Sequence, residues 1–108
     1  MNYYMAQAAY TAEAVAGLIK NPQNRRDSVQ KAVEKLGGSL VDFWFAFGDY
    51  DVVAIGQFPD NVSAAAFSMA ISAGGAIKAF KTTPLMTAEE ATEAMKKAGK
   101  AGYKPPRR

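Results

Sequence analysis

A chain of 108 residues that is 49% hydrophobic and 21% charged has the length and composition of one globular domain. It contains neither cysteine nor histidine, which excludes disulfides, thiolate nucleophiles, imidazole bases and the commonest metal ligands, so any catalysis falls to Asp, Glu, Tyr, Lys or Arg. The net charge of +3 is unevenly placed: residues 96–108 carry six of the 13 basic residues and no acid, which leaves a mildly acidic remainder of seven basic and ten acidic residues.

The N-terminal stretch MNYYMAQAAYTAE lacks the basic start and long apolar core of a signal peptide. No stretch reaches the roughly 20 apolar residues of a membrane span, so the cytoplasm is the expected compartment. Asn2 to Tyr10 is predicted as a first strand from Tyr3, Tyr4, Met5 and Tyr10, with Gln7 the notable polar residue inside it. Thr11 is placed to cap a short helix running to about Lys20, with Glu13 in its positive first turn. Asn21 and Pro22 then predict the start of a second helix, since Asn is a good N-cap and Pro fits the first helical position. Val29, Ala32, Val33 and Leu36 form one apolar stripe on it, and Gly37-Gly38 ends it.

Residues 40–58, LVDFWFAFGDYDVVAIGQF, form the best-specified part of the chain. Two aromatic and β-branched runs meet at Gly48-Asp49, which predicts a hairpin with a tight turn, and Pro59 ends its second strand. Alternation sends Val41, Phe43, Phe45 and Phe47 to one face and Leu40, Asp42, Trp44 and Ala46 to the other. Both faces are apolar apart from Asp42, so both need a cover.

Asp60 or Asn61 caps the next helix, and no charge occurs between Asn61 and Ile77. A helix apolar on nearly all sides is usually buried on more than one. Gly74-Gly75 stops it, Ala76 to Thr83 is predicted as a fourth strand, and Pro84 limits that strand's pairing to an edge or to its end. Thr87 and Glu90 have capping-box spacing and open a last helix whose Ala91, Ala94, Met95 and Ala98 are predicted to face inward. The order is β-α-β-β-α-β plus a C-terminal helix, an α+β ferredoxin-like fold with an antiparallel four-stranded sheet over residues 1–98. Residues 99–108, GKAGYKPPRR, are a basic flexible tail. Helices cover one face of such a sheet, and its other apolar face calls for a second copy, giving a dimeric α/β barrel.

Gly48-Asp49-Tyr50-Asp51, the apolar strand VVAIGQF after it and then PDN resemble the GYD domain family. The likeness extends along nearly the whole chain through Asn21-Pro22, Arg25-Arg26, Gly37-Gly38, the run from Lys81 to Leu85 and the cap at Thr87 and Glu90. It implies a ferredoxin-like protomer of the dimeric α/β-barrel superfamily. It implies no reaction, cofactor or site.

Several residues are candidates for chemistry. Asp49 and Asp51 flank Tyr50, an arrangement for acid-base work or for holding a cation, though a turn with Tyr50 packed at the strand end accounts for the same residues. Arg25, early in a helix, can receive a phosphate or carboxylate, or simply be solvated. Trp44 suits an apolar pocket or the core, and Thr82 beside Lys81 a pocket mouth or an ordinary strand end. Gln7 and Asp42 are polar among apolar neighbours and need partners, which a ligand can supply. Nucleic-acid binding by the basic tail is disfavoured by the acidic body and by the lack of a reading motif.

Three functional readings follow. In the first, a homo-oligomeric barrel binds a small molecule through Tyr3, Gln7, Arg25, Trp44, Asp51 or Thr82, with no cofactor or metal. In the second, a cofactor-independent enzyme uses Asp42, Asp49 and Tyr50 as acid-base groups. In the third, the chain is an assembly module without catalysis.

Overall fold

The computed structural model describes residues 1–106, and Arg107 and Arg108, the last two cations of the predicted tail, lie outside the described residues. The order is β1 (Asn2–Tyr10), α1 (Ala12–Lys20), α2 (Arg26–Lys35), β2 (Ser39–Phe45), β3 (Val52–Phe58), α3 (Asn61–Ala73), β4 (Ile77–Leu85) and α4 (Ala88–Gly99). The strands form one antiparallel sheet in the order β2-β3-β1-β4, which is the ferredoxin-like arrangement that the sequence predicts. No helix among the described residues is long and apolar enough to cross a membrane.

Register sorts the side chains. Tyr4, Ala6 and Ala8 of β1 stand opposite Gly56, Ala54 and Val52 of β3 and opposite Pro84, Thr82 and Phe80 of β4. This face is covered by α2 and α3. Tyr4, Val33, Phe58, Ala64 and Phe67 make the buried cluster, with edge-on and tilted ring contacts linking Tyr4, Phe58, Phe67 and Phe80. The Tyr4 hydroxyl also donates to Asn61 Oδ1 at 2.6 Å, tying the centre of the sheet to the first turn of α3. Tyr4→Phe keeps the ring packing and loses that bond, so it is expected to lower stability by about 1 kcal/mol, read as a shifted urea midpoint at unchanged slope.

Four expectations are corrected. The second helix begins at Arg26 rather than at Asn21-Pro22. The Asn21 amide donates to Gly17 O and so closes α1, while Asn24 Oδ1 takes the Arg26 amide at 2.9 Å; Asn21 belongs to the preceding helix as its C-cap. The hairpin turn is no tight turn at Gly48-Asp49, because the strands stop at Phe45 and resume at Val52. The Ala46 amide closes a wider loop on Asp51 O at 2.7 Å, and Asp51 is held inward by its own amide, which donates to Ala8 O at 2.8 Å.

A bulge in β2 overturns the predicted faces. Leu40 pairs with Gly56 and Asp42 with the adjacent Ile55, so Val41 is the extra residue and the alternation slips by one. Leu40 therefore joins Phe43 and Phe45 on the helix-covered face, while Asp42 and Trp44 occupy the other with Tyr3, Met5, Gln7, Val53 and Ile55. Finally, α4 carries its capping box at Thr87 and Glu90, but Ala94, Met95 and Ala98 are exposed and only Ala91 is half-buried. The helix leaves β4 at the edge of the sheet, so its apolar stripe does not reach this chain's core.

Candidate functional site

The covered face of the sheet is solid at one end and hollow at the other. Where Tyr4 and Phe58 face α2 and α3, large rings fill the space. Further along β1 and β3 the same face presents Ala6, Ala8 and Ala54, and the helix above presents Ala70 and Gly74. Small side chains on both sides cannot meet across the gap between a sheet and a helix. A cavity of about 270 Å³ results, floored by Ala6, Ala8, Val52 and Ala54, roofed by Val29, Phe67, Ala70 and Ile71, and walled by Phe43, Ile77 and Phe80.

Among the described residues, the only polar side chains lining this cavity are Tyr10 and Arg25. Tyr10 is the last residue of β1 and comes to this face by alternation from Tyr4, Ala6 and Ala8. Its ring stacks on Phe45 at 6.1 Å, and its amide donates to Asp51 Oδ2 at 2.8 Å. Burial pushes its phenol above the ordinary value, although the nearby Arg25 guanidinium opposes that shift and Asp51 adds to it. Tyr10 is therefore protonated at neutral pH and available as a donor. Arg25, half-buried, stands at the N-cap of α2, and its Nη1 donates to Gln23 Oε1 at 2.8 Å. The guanidinium also lies beside the Tyr10 hydroxyl, and its remaining donors can serve a ligand.

Tyr10 and Arg25 also line a second hollow of about 320 Å³ on the α1 side, with Ala14, Leu18 and Gln23. Tyr10 and Asp51 border a third, of about 370 Å³, with Val15, Ile19, Phe45 and Phe47. Tyr10 is thus the hub of three neighbouring hollows. It was not among the candidates from sequence, where it read only as a strand former. Its signal was the run Tyr4-x-Ala6-x-Ala8-x-Tyr10, in which a large polar ring follows two small residues on one face.

The predicted site residues are divided by the sheet. Arg25 lines the cavity. Thr82 shares the covered face but lies opposite Ala6 at a small void of about 20 Å³ near Tyr4. Asp51 is half-buried and its carboxylate is engaged with the Tyr10 amide. Tyr3, Gln7 and Trp44 lie on the opposite, open face, and so does Asp42. Of the three acid-base candidates, Asp42 stands in the middle of β2, whereas Asp49 and Tyr50 lie in the loop beyond its end; none lines the cavity. Among the described residues no group of three acidic side chains is placed to hold a metal ion.

The family model of the GYD domain matches residues 4–95. Among solved structures, the chain is similar to an uncharacterized NIPSNAP domain protein from Burkholderia xenovorans, with a TM-score of 0.51 and 17% identity over 82% of this chain and 95% of that one. It is also similar to protein Atu4242 from Agrobacterium tumefaciens, with a TM-score of 0.48 and 19% identity over 82% of this chain and 94% of that one. No curated protein matches it. The likeness to the Burkholderia protein concerns the fold.

Proposed function

The chain belongs to the GYD domain family, and from that premise we propose that it is a homo-oligomeric small-molecule-binding protein whose ligand sits between the sheet and helices α2 and α3. The observation that carries this reading is the cavity of about 270 Å³ with an apolar lining and two polar side chains at Tyr10 and Arg25. Binding sites have this make-up, a mostly apolar hollow with a few polar groups that fix orientation. An apolar cavity of about 150 Å³ is enough to hold benzene, so this one suits a body of one or two rings. Binding is favoured over catalysis because no carboxylate lines the cavity.

Assembly is the second part of the proposal. The open face carries Tyr3 and Trp44 at 37% and 66% exposure beside Met5, Val53 and Ile55. A second sheet of the same kind, packed face to face, would bury this surface at the usual spacing of about 10 Å.

Native mass spectrometry of the purified protein, with and without Ala54→Leu, tests both parts. Ala54 is buried in the cavity floor, and leucine there fills part of an existing hollow, so a stability change within about 1.5 kcal/mol is expected. The expected spectra are a dimer or larger with a retained small molecule, and the same oligomer with that mass lost in the variant. A bare monomer would sink the assembly, and a retained mass unaffected by Ala54→Leu would sink the cavity.

A further inference from the structure

We infer that the ligand of this cavity is an amphipathic acid, an apolar body of one or two rings bearing one carboxylate that the Arg25 guanidinium and the Tyr10 hydroxyl hold at the cavity's end; the inference rests on the cavity being the binding site. Three observations select the sign and number of charges. Arg25 is the one charged side chain lining the cavity among the described residues, and no acid lines it. A cationic ligand would meet a like charge there, and a neutral one would leave a half-buried guanidinium with donors unused.

Position adds to charge. Arg25 stands at the N-cap position of α2 and lines the cavity together with Tyr10, beside whose hydroxyl its guanidinium lies. Asp51, the nearest acid to Tyr10, is spent on the Tyr10 amide and borders the hollow beside α1 instead. Tyr10 supplies a neutral O–H donor next to the guanidinium, as burial keeps it protonated. One planar fork of donors and one hydroxyl match the two oxygens of a single carboxylate. A phosphate monoester, with close to two negative charges, would find a single cation.

The test is isothermal titration of the full chain with 2-naphthoate and with 2-naphthalenemethanol, which share a ring system and differ in the charge of the head. Wild type is expected to bind the acid at least tenfold more tightly than the alcohol, the scale of a charge-assisted pair. Arg25→Gln should remove roughly that tenfold preference by weakening the acid far more than the alcohol, and Arg25→Lys, which keeps the charge without the fork, should fall between. Tyr10→Phe should weaken the acid more than the alcohol. Equal affinities for acid and alcohol in wild type, with Ala54→Leu blocking both, would overturn the acid while leaving the cavity reading intact. Binding of neither compound would overturn both.

Discussion

Phe58→Ala is expected to lower the unfolding free energy by about 3–5 kcal/mol, the range for deleting a large ring from a packed core. Phe58 is only 3% exposed at the end of β3, against Tyr4 of β1 at 5.9 Å and Phe67 of α3 at 5.5 Å between ring centroids. Its cluster also contains Val33 of α2. One ring thus joins two strands and two helices. The size of the loss depends on how far neighbours can collapse into the space. Here they have little to give, because the adjoining half of the same layer is already hollow above Ala6, Ala8 and Ala54. Met69→Ala, at a side chain 72% exposed on α3, should by contrast change stability by less than about 0.5 kcal/mol. Urea unfolding followed by circular dichroism compares the two. Equal effects would mean that the core is centred elsewhere.

The same contrast explains what the sequence disclosed. Element order was legible because the signals were local: Thr11, Asp60 and Thr87 are N-caps that accept from the amides of Ala14, Ser63 and Glu90, and Gly37 adopts φ +83° where α2 ends. Errors arose where a distant partner decided the outcome. The loop at Gly48-Asp49 is wide because Asp51 is tied to Ala8 and Tyr10 of β1, some 40 residues earlier in the chain. The β2 faces changed because a bulge at Val41 follows from pairing with β3, and strict alternation within LVDFWF gives no warning of it. For α4, an amphipathic stripe shows that a helix has an apolar side. It does not show that the same chain provides the surface that covers it.

The candidate site was legible only in part for a related reason. Arg25 was found because guanidinium at a helix start is a chemical signal in itself. Tyr10 carries no such signal, because its meaning lies in what surrounds it, namely the alanines at 6, 8 and 54 that leave space beside it. A cavity is made by residues that are too small, and small residues carry no chemistry to read. Tyr3, Gln7, Asp42 and Trp44 are polar or aromatic positions in strands, and register places all four on the open face.

Gly38→Ala is expected to cost about 2–4 kcal/mol, more than a glycine after a helix ordinarily would. Its φ is not positive, so backbone preference is not the cause. The cause is proximity: a Cβ at Gly38 would collide with the carbonyl oxygen of Gln57 and would meet Phe58 Cδ1 at 2.9 Å and Val33 Cγ1 at 3.1 Å. The closest of these is backbone and cannot rotate away. Relief requires β2 to move off β3 where Ser39 pairs with Gln57, at the point where Phe58 enters the core. Gly37→Ala is a different case, since φ +83° strains an L-residue but its nearest neighbour is 3.8 Å away; a cost of about 1 kcal/mol is expected. Gly48→Ala, in open space without positive φ, should be within about 0.5 kcal/mol of wild type. Ranked by urea midpoint, the three glycines should therefore fall in the order 48, 37, 38 from mildest to most severe. Were Gly37→Ala the most damaging, the helix end would govern this junction and the close approach of β2 to β3 would be the lesser constraint.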